Sequence, residues 1–296
     1  MEELEFSMIG QSRQVLEMIT DEGSFVENSV ASRSFSPDFG VCAIVGTAKI
    51  ASRTVTIIAN DTDAYNERFP VVFAGVIGIE EAYKMARAVY ATIEADREKP
   101  IGEKRPVVLI VDTPGNAPGK VEEIIGMNKA TGAYQLALAE ARNIGHPTIA
   151  LVIGRAISGA FLCHGLQADH ILALSKDFGT IIHVMPLTSI SRITKMDIER
   201  LEELSHNNPV FASGVDFFYR LGGVNEIICD LKEVKSILLR HIGEIVECKE
   251  RGEFGKLGPK GRGALGEERG GRVYRERVLA EMNAQFDAVA ERYMNA

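Results

Sequence analysis

Pro106-Val-Val-Leu-Ile-Val-Asp112, running directly into Thr113-Pro-Gly-Asn-Ala-Pro-Gly119, decides the fold. The first part is an almost continuous apolar run, and a strand of that kind normally has both faces covered, as in a parallel sheet between helices. The second part carries the Pro and Gly of a turn. Beyond it, residues 121–143 have helical spacing, Pro147-Thr-Ile-Ala-Leu-Val-Ile-Gly154 is a second buried strand, residues 158–168 form a helix, and His170-Ile-Leu-Ala-Leu174 is a third short strand. Strand, helix, strand, helix, strand in that order implies right-handed crossovers and an α/β core.

Upstream, residues 39–50 and 54–60 are β-branched runs separated by Ala51-Ser-Arg53, which predicts a hairpin. Residues 78–99 place Ala82, Met85, Ala86, Val89, Tyr90 and Ile93 on one helical face, and the helix stops before Pro100. Downstream, residues 196–204, 210–221 and 231–248 are helical in pattern, with Gly222-Gly223 as a break. Residues 249–272 are rich in Gly, Lys, Arg and Glu without periodicity, so a flexible loop is expected there, and residues 273–294 predict a last amphipathic helix. No repeat or composition break divides the chain, so a single domain over residues 1–296 is expected.

With 296 residues and 46% hydrophobic content the chain can bury a large core. A net charge of −8 argues against a sequence-independent grip on nucleic acid, which needs a clustered basic face. Four widely spaced cysteines, Cys42, Cys163, Cys229 and Cys248, fit reduced thiols. No run reaches the ~18 apolar residues of a membrane span, and the first residues do not read as a signal peptide. A cytoplasmic protein without membrane insertion is therefore expected.

Two segments carry chemistry. Asp112-Thr-Pro-Gly-Asn-Ala-Pro-Gly119 sits between a strand and a helix, where Gly115 and Asn116 could point N–H groups at an anionic oxygen, or simply form a Pro-Gly turn. It is not a phosphate-binding Walker loop: only three residues separate Gly115 from Gly119, and Val121 stands where Ser or Thr is required. Gly154-Arg-Ala-Ile-Ser-Gly-Ala160 occupies the equivalent place one crossover later, either as a second anion hole or as close helix–strand packing through Gly159 and Ala160. Arg155 is the only cation in either segment, suited to a substrate carboxylate or phosphate or else to an ion pair.

Val111-Asp-Thr-Pro-Gly-Asn-Ala-Pro-Gly119 followed by Val152-Ile-Gly-Arg-Ala-Ile-Ser-Gly-Ala-Phe-Leu162 resembles the acyl-CoA carboxyltransferase branch of the crotonase superfamily. Within that branch, Phe69-Pro-Val-Val-Phe-Ala-Gly-Val-Ile-Gly78, the helix over residues 131–146 and Ile182-His-Val-Met185 are most similar to the malonate decarboxylase gamma subunit, over about residues 40–222. The resemblance implies an α/β fold of ββα units in a crotonase-like spiral with flanking helices, and a site shared with a beta subunit. It implies a malonyl group carried on an acyl carrier protein through a CoA-like phosphoribosyl-dephospho-CoA thiol arm, with no cofactor bound by this chain. It assigns the backbone amides of Gly159, Ala160, Gly115 and Asn116 to oxyanion holes; Arg155, Ala156 and Ile157, which lead into the second of them, are expected against substrate. Ala156-Ile157 and Ala160 depart from the richer glycine pattern of many carboxyltransferases.

The expected reaction is decarboxylation of malonyl-S-acyl-carrier protein to acetyl-S-acyl-carrier protein and CO2, in which donors aimed at the thioester oxygen stabilise the negative charge that develops there. Transfer of the carboxyl group to biotin is the alternative. A third reading takes Ser158 and His183 as a nucleophile–base pair, resembling the ATP-dependent caseinolytic protease and making the chain a hydrolase. His183 could instead protonate the enolate carbon or sit in the core. Cys163-His164 and His170 lack the paired spacing of a zinc site, so no metal is expected. The basic clusters 256–262 and 269–277 are candidates for touching an acidic carrier protein, or are merely solvated.

Overall fold

The computed structural model describes residues 6–185, 187–207 and 214–294. Helix α1 (Ser12–Ile19) leads into three two-residue strands, β1 (Val26–Glu27), β2 (Ser29–Val30) and β3 (Arg33–Ser34). The expected hairpin follows as β4 (Ala43–Ile50) and β5 (Arg53–Asn60), paired along their full length. Its two-residue turn holds Ala51 and Ser52 at positive φ, the backbone a right-twisted hairpin needs. Asp21 makes this tolerable for non-glycine residues by accepting both turn amides, at 3.0 and 2.7 Å.

Helix α2 (Ile79–Ala95) crosses to the buried strand β6 (Val107–Thr113). The helical pattern over 121–143 is two helices, α3 (Lys120–Ile125) and α4 (Met127–Asn143), because Gly126 at φ 115° closes the first in a left-handed cap. Strand β7 (Thr148–Ile157), the short α5 (Ser158–Cys163) and β8 (His170–Leu174) complete the crossovers, followed by β9 (Ile181–His183). The sheet runs β1-β4-β5-β6-β7-β8-β10, where β10 is Glu226–Ile228, and everything from β5 onward is parallel. The long β7 serves two neighbours: residues 149–152 pair with β8 and residues 155–157 with β9.

Alternation along the strands builds two cores. Val107, Leu109, Val111, Ala150 and Val152 face α2, α4 and α5, while Val108, Ile110, Ile149, Leu151 and Ile153 face α1 and the helix over Val234–Glu250. Helices α6 (Leu187–Thr194), α7 (Ile198–Asn207) and α8 (Val215–Arg220) precede β10, and α9 (Val234–Glu250) follows it. The pattern expected over 210–221 lies partly outside the described residues.

The flexible loop expected at 249–272 is not there. The end of α9, a 3-10 turn at Phe254–Lys256 and α10 (Gly258–Glu268) occupy it. Buried polar groups hold it down: Lys249 donates to the carbonyls of His146 (2.6 Å) and Arg142 (3.0 Å), and Arg262 to those of Leu166, Ala168 and Asp169. Arg269 donates to the Tyr219, Val224 and Asn225 carbonyls and Arg272 to that of Leu221, so these basic clusters are fastenings for the chain. The last segment is α11 (Arg275–Asp287) and α12 (Ala290–Met294), with Val278, Leu279, Met282 and Phe286 exposed. Among the described residues no helix is long and apolar enough to cross a membrane.

Candidate active site

The two bends leave the sheet at the carboxyl ends of adjacent parallel strands, the place where open α/β sheets bind ligands. Strands β6 and β7 are in register from Val107↔Thr148 to Val111↔Val152, then shift so that Thr113 faces Ala156. Asp112 accounts for the shift. Its buried carboxylate, in place of a main-chain carbonyl, accepts the Arg155 amide at 2.9 Å, together with Arg155 Nε at 2.8 Å and Nη2 at 3.2 Å, and the amide of Gly10 at 2.7 Å. Arg155 Nη2 also donates to the Ala74 carbonyl at 3.0 Å. Gly154 leaves room for this clasp, since a Cβ there would lie 2.7 Å from Asp112 Oδ1.

The strand expected to end at Gly154 therefore runs three residues further, and the helix starts at Ser158 as expected. The strand continues through Arg155, Ala156 and Ile157, held by β9, and reverses at Ser158, a non-glycine residue at φ 54°. Helix α5 starts there with no side-chain cap, so the amides of Gly159 and Ala160 have no i−4 carbonyl within the helix.

The first bend meets the second at one point. A Cβ on Gly159 would collide with the side-chain oxygen of Asn116, and Asn116 Nδ2 is buried without a hydrogen-bond partner. Gly115 faces inward: it is buried, its amide donates to Thr113 Oγ1 at 3.3 Å, and its carbonyl accepts the Ile77 amide at 3.1 Å. The Gly115 amide is therefore taken, and what the first bend turns towards the elbow is the Asn116 side-chain oxygen.

A buried chain supports the elbow. His164, just after α5, bonds the Ile110 carbonyl through Nε2 at 3.0 Å and Tyr134 Oη through Nδ1 at 2.8 Å. A carbonyl only accepts, so Nε2 carries the proton and Nδ1 accepts from the tyrosine hydroxyl. Burial pulls His164 down to about 4, so it is neutral at pH 7, and it pushes the Cys163 thiol up to about 12.

The sequence-predicted residues separate accordingly. Gly159 and Asn116 come together, and Ala160, next along α5, is fully buried in the core. Arg155 is committed to Asp112, Ala156 is fully buried in the core, and Ile157 is the half-buried residue before α5, so none of the three is displayed to a ligand as a free polar group. His183 pairs with Ile157 across the β7–β9 ladder, half-buried, its Nε2 without a partner and its pKa lowered by burial. Ser158 is exposed, and no hydrogen bond joins it to His183 among the described residues. Asp112 and the Tyr134–His164 pair escaped sequence reasoning; the signal available was an acidic residue closing an otherwise apolar strand.

Adjacent parallel strands that end in two abutting bends, one of them an amide-bearing elbow, are the arrangement of an α/β protein that binds its ligand at the carboxyl edge of the sheet. The profile of the malonate decarboxylase gamma subunit matches residues 74–286. Malonyl-S-ACP:biotin-protein carboxyltransferase MADD of Malonomonas rubra is 65% identical over 285 residues, covering 96% of this chain and 98% of that protein. Among solved structures, a Pseudomonas malonate decarboxylase hetero-tetramer in complex with coenzyme A is similar with TM-score 0.73 and 29% identity, over 92% of this chain and 98% of the other. The Pseudomonas MdcD–MdcE hetero-dimer gives 0.71 and 30%, over 92% and 99%. The chain belongs to the malonate decarboxylase gamma-subunit family and is a carboxyltransferase-type enzyme.

Proposed function

We propose that this chain, with a beta-type subunit, removes the carboxyl group from a malonyl thioester borne on an acyl carrier protein and passes it to biotin on a carrier protein. The observation that carries the chemistry is the elbow itself, where Gly159 and Ala160 open α5 with amides that have no carbonyl partner within the helix, beside the Asn116 side chain. As the bond between the methylene carbon and the carboxylate breaks, its electron pair moves onto the thioester carbonyl, and the oxygen becomes negative. Fixed donors at that oxygen lower the barrier by about 3 kcal/mol each. The carboxyl group joins the ureido nitrogen of biotin, the proton displaced from that nitrogen goes to the enolate carbon, and the product is an acetyl thioester.

Whole-length identity to a protein named for transfer from malonyl-S-ACP to biotin-protein favours the biotin route over the direct release of CO2. Direct release remains the second reading, favoured by likeness to the Pseudomonas malonate decarboxylase. The likeness to a coenzyme A complex supports a CoA-like arm delivering the thioester. Exposed apolar side chains around both bends support a partner that covers them: Leu162, Ile181, Val184 and Met185 beside the elbow, and Val121, Ile124 and Ile125 on α3.

The test is reconstitution of the chain with its beta subunit, malonyl-S-ACP labelled in the free carboxyl, and biotinylated carrier. Label should appear on biotin, and avidin should abolish acetyl-S-ACP formation. Undiminished acetyl-S-ACP with avidin present selects direct release, and full turnover by the isolated chain contradicts the shared site.

A further inference from the structure

At the opposite end of the sheet, His170 on β8 meets helix α9 near its middle. His170 pairs with Ile149 in the ladder, nine residues before Ser158, so this point lies about 30 Å along β7 from the elbow. His170 Nδ1 is 2.8 Å from His241 Nδ1, and His241 Nδ1 is 3.4 Å from a carboxylate oxygen of Glu244. His241 and Glu244 are one helical turn apart, on the same face. The donor atoms of the three residues lie within 4.8 Å of one another.

The surrounding bonds fix which atoms face inward. His241 Nε2 lies 2.9 Å from Glu226 Oε2, a carboxylate that only accepts, so Nε2 carries a proton. In the neutral ring Nδ1 is then a lone pair that accepts the His170 Nδ1 proton, and an ion taking that proton's place requires His170 to carry its proton on Nε2 instead. A carboxylate on the outer nitrogen of a histidine is the usual arrangement behind a metal-bound imidazole, where it fixes the tautomer and raises basicity. Bonds of ~2.1 Å at tetrahedral angles separate ligand atoms by ~3.4 Å. The His241–Glu244 spacing already matches, and the two imidazole nitrogens need to part by only about 0.6 Å.

We propose that His170, His241 and Glu244 bind a borderline divalent transition-metal ion, Zn2+ in the first instance, with Glu226 as the outer partner of His241. Two imidazoles and one carboxylate suit zinc and leave a fourth position for water on the exposed Glu244 side. Arg240 donates to Glu226 and Glu244, and being half-exposed it can turn to solvent when the ion binds. Such an ion would fasten α9 to the end of β8, beside the buried Lys249–Asp169 pair, away from the reacting centre.

The full-length chain, dialysed against a chelator, would be titrated with Zn2+ and with Co2+ as a visible probe, and its bound metal counted. One ion per chain is expected, with Co2+ giving the visible bands of a low-coordinate N,O site. Zinc at about a hundredfold over its Kd should raise the melting temperature by about 4 °C. Glu244→Gln and His241→Gln should abolish stoichiometric binding, and Glu226→Gln should weaken it about tenfold or more. Glu244→Gln, on the exposed face of α9, should keep the melting temperature of the metal-free protein. Absence of stoichiometric zinc on the wild-type chain overturns the proposal, as does unchanged affinity in Glu244→Gln.

Discussion

Removing the carboxylate of Asp112 is the most informative structural perturbation. It accepts four hydrogen bonds: from the Gly10 amide, the Arg155 amide, and Arg155 Nε and Nη2. Deleting one member of a buried ion pair costs about 3–5 kcal/mol. The Arg155 side chain keeps 20% exposure, so water recovers part of its solvation and the low end applies, about 3 kcal/mol. The two amides left without an acceptor add about 1 kcal/mol each. Asp112→Ala should therefore lose about 5 kcal/mol, comparable to the whole stability of a weakly stable domain. Asp112→Asn keeps one acceptor oxygen and should lose about 2–3 kcal/mol. In urea unfolding followed by circular dichroism, this is a midpoint shift of about 1 M with unchanged slope for the Asn variant. Because the same clasp sets the offset between the bends, the Asn variant should also lose turnover under conditions where it is fully folded. An Asn variant with wild-type midpoint and wild-type turnover would refute the reasoning.

Gly154→Ala should destabilise by about 1–3 kcal/mol, since its methyl must displace Asp112; a melting curve unshifted from wild type would speak against that crowding. Ser158→Ala should keep turnover within a few-fold and a fluorophosphonate probe should not label Ser158, because no base is bonded to that hydroxyl; labelling would revive the hydrolase reading. His146 and His164 are held at about 4 by burial, below their ordinary 6.5, so the unfolded chain binds more protons than the native one between those values. Stability is then full above pH 6.5 and declines towards pH 4, by up to about 3 kcal/mol for the fully buried His164; a melting temperature flat over that range would contradict neutral histidines in the core. Asp169→Ala, which strands the fully buried Lys249 whose Nζ lies 2.6 Å from it, should cost about 3–5 kcal/mol in the same unfolding assay; a loss under about 1 kcal/mol would dismiss the pair as a support for α10.

What could be read from the chain depended on how local its cause was. The runs 106–112 and 147–154 declare β6 and β7 because strands covered on both faces need continuous apolar sequence. The helix start at Ser158 is as expected, but the strand is expected to end at Gly154, three residues early, because Gly154 looks like a turn residue and is instead small for Asp112, 43 positions upstream of Arg155. An ion pair is one of the two readings of Arg155 in sequence, but the same distance hides its partner. Residues 249–272 look like solvent-seeking loop because their cations give no sign of the carbonyls they reach; Arg262 bonds groups more than 90 residues away. Gly115 and Asn116 were paired by sequence, and only the Thr113 hydroxyl and the Ile77 amide separate an inward residue from an available one.

The central claim is that amides at the α5 elbow, with Asn116 against them, hold the charge formed when the carboxyl group departs. Its most direct measurement is the carboxyl-transfer rate of Gly159→Ala in the enzyme reconstituted with its beta subunit, because that single methyl enters the contact between the bends. A loss of about 10²–10³-fold in turnover, with the melting temperature within a few degrees of wild type, is expected. Turnover within twofold of wild type would contradict it.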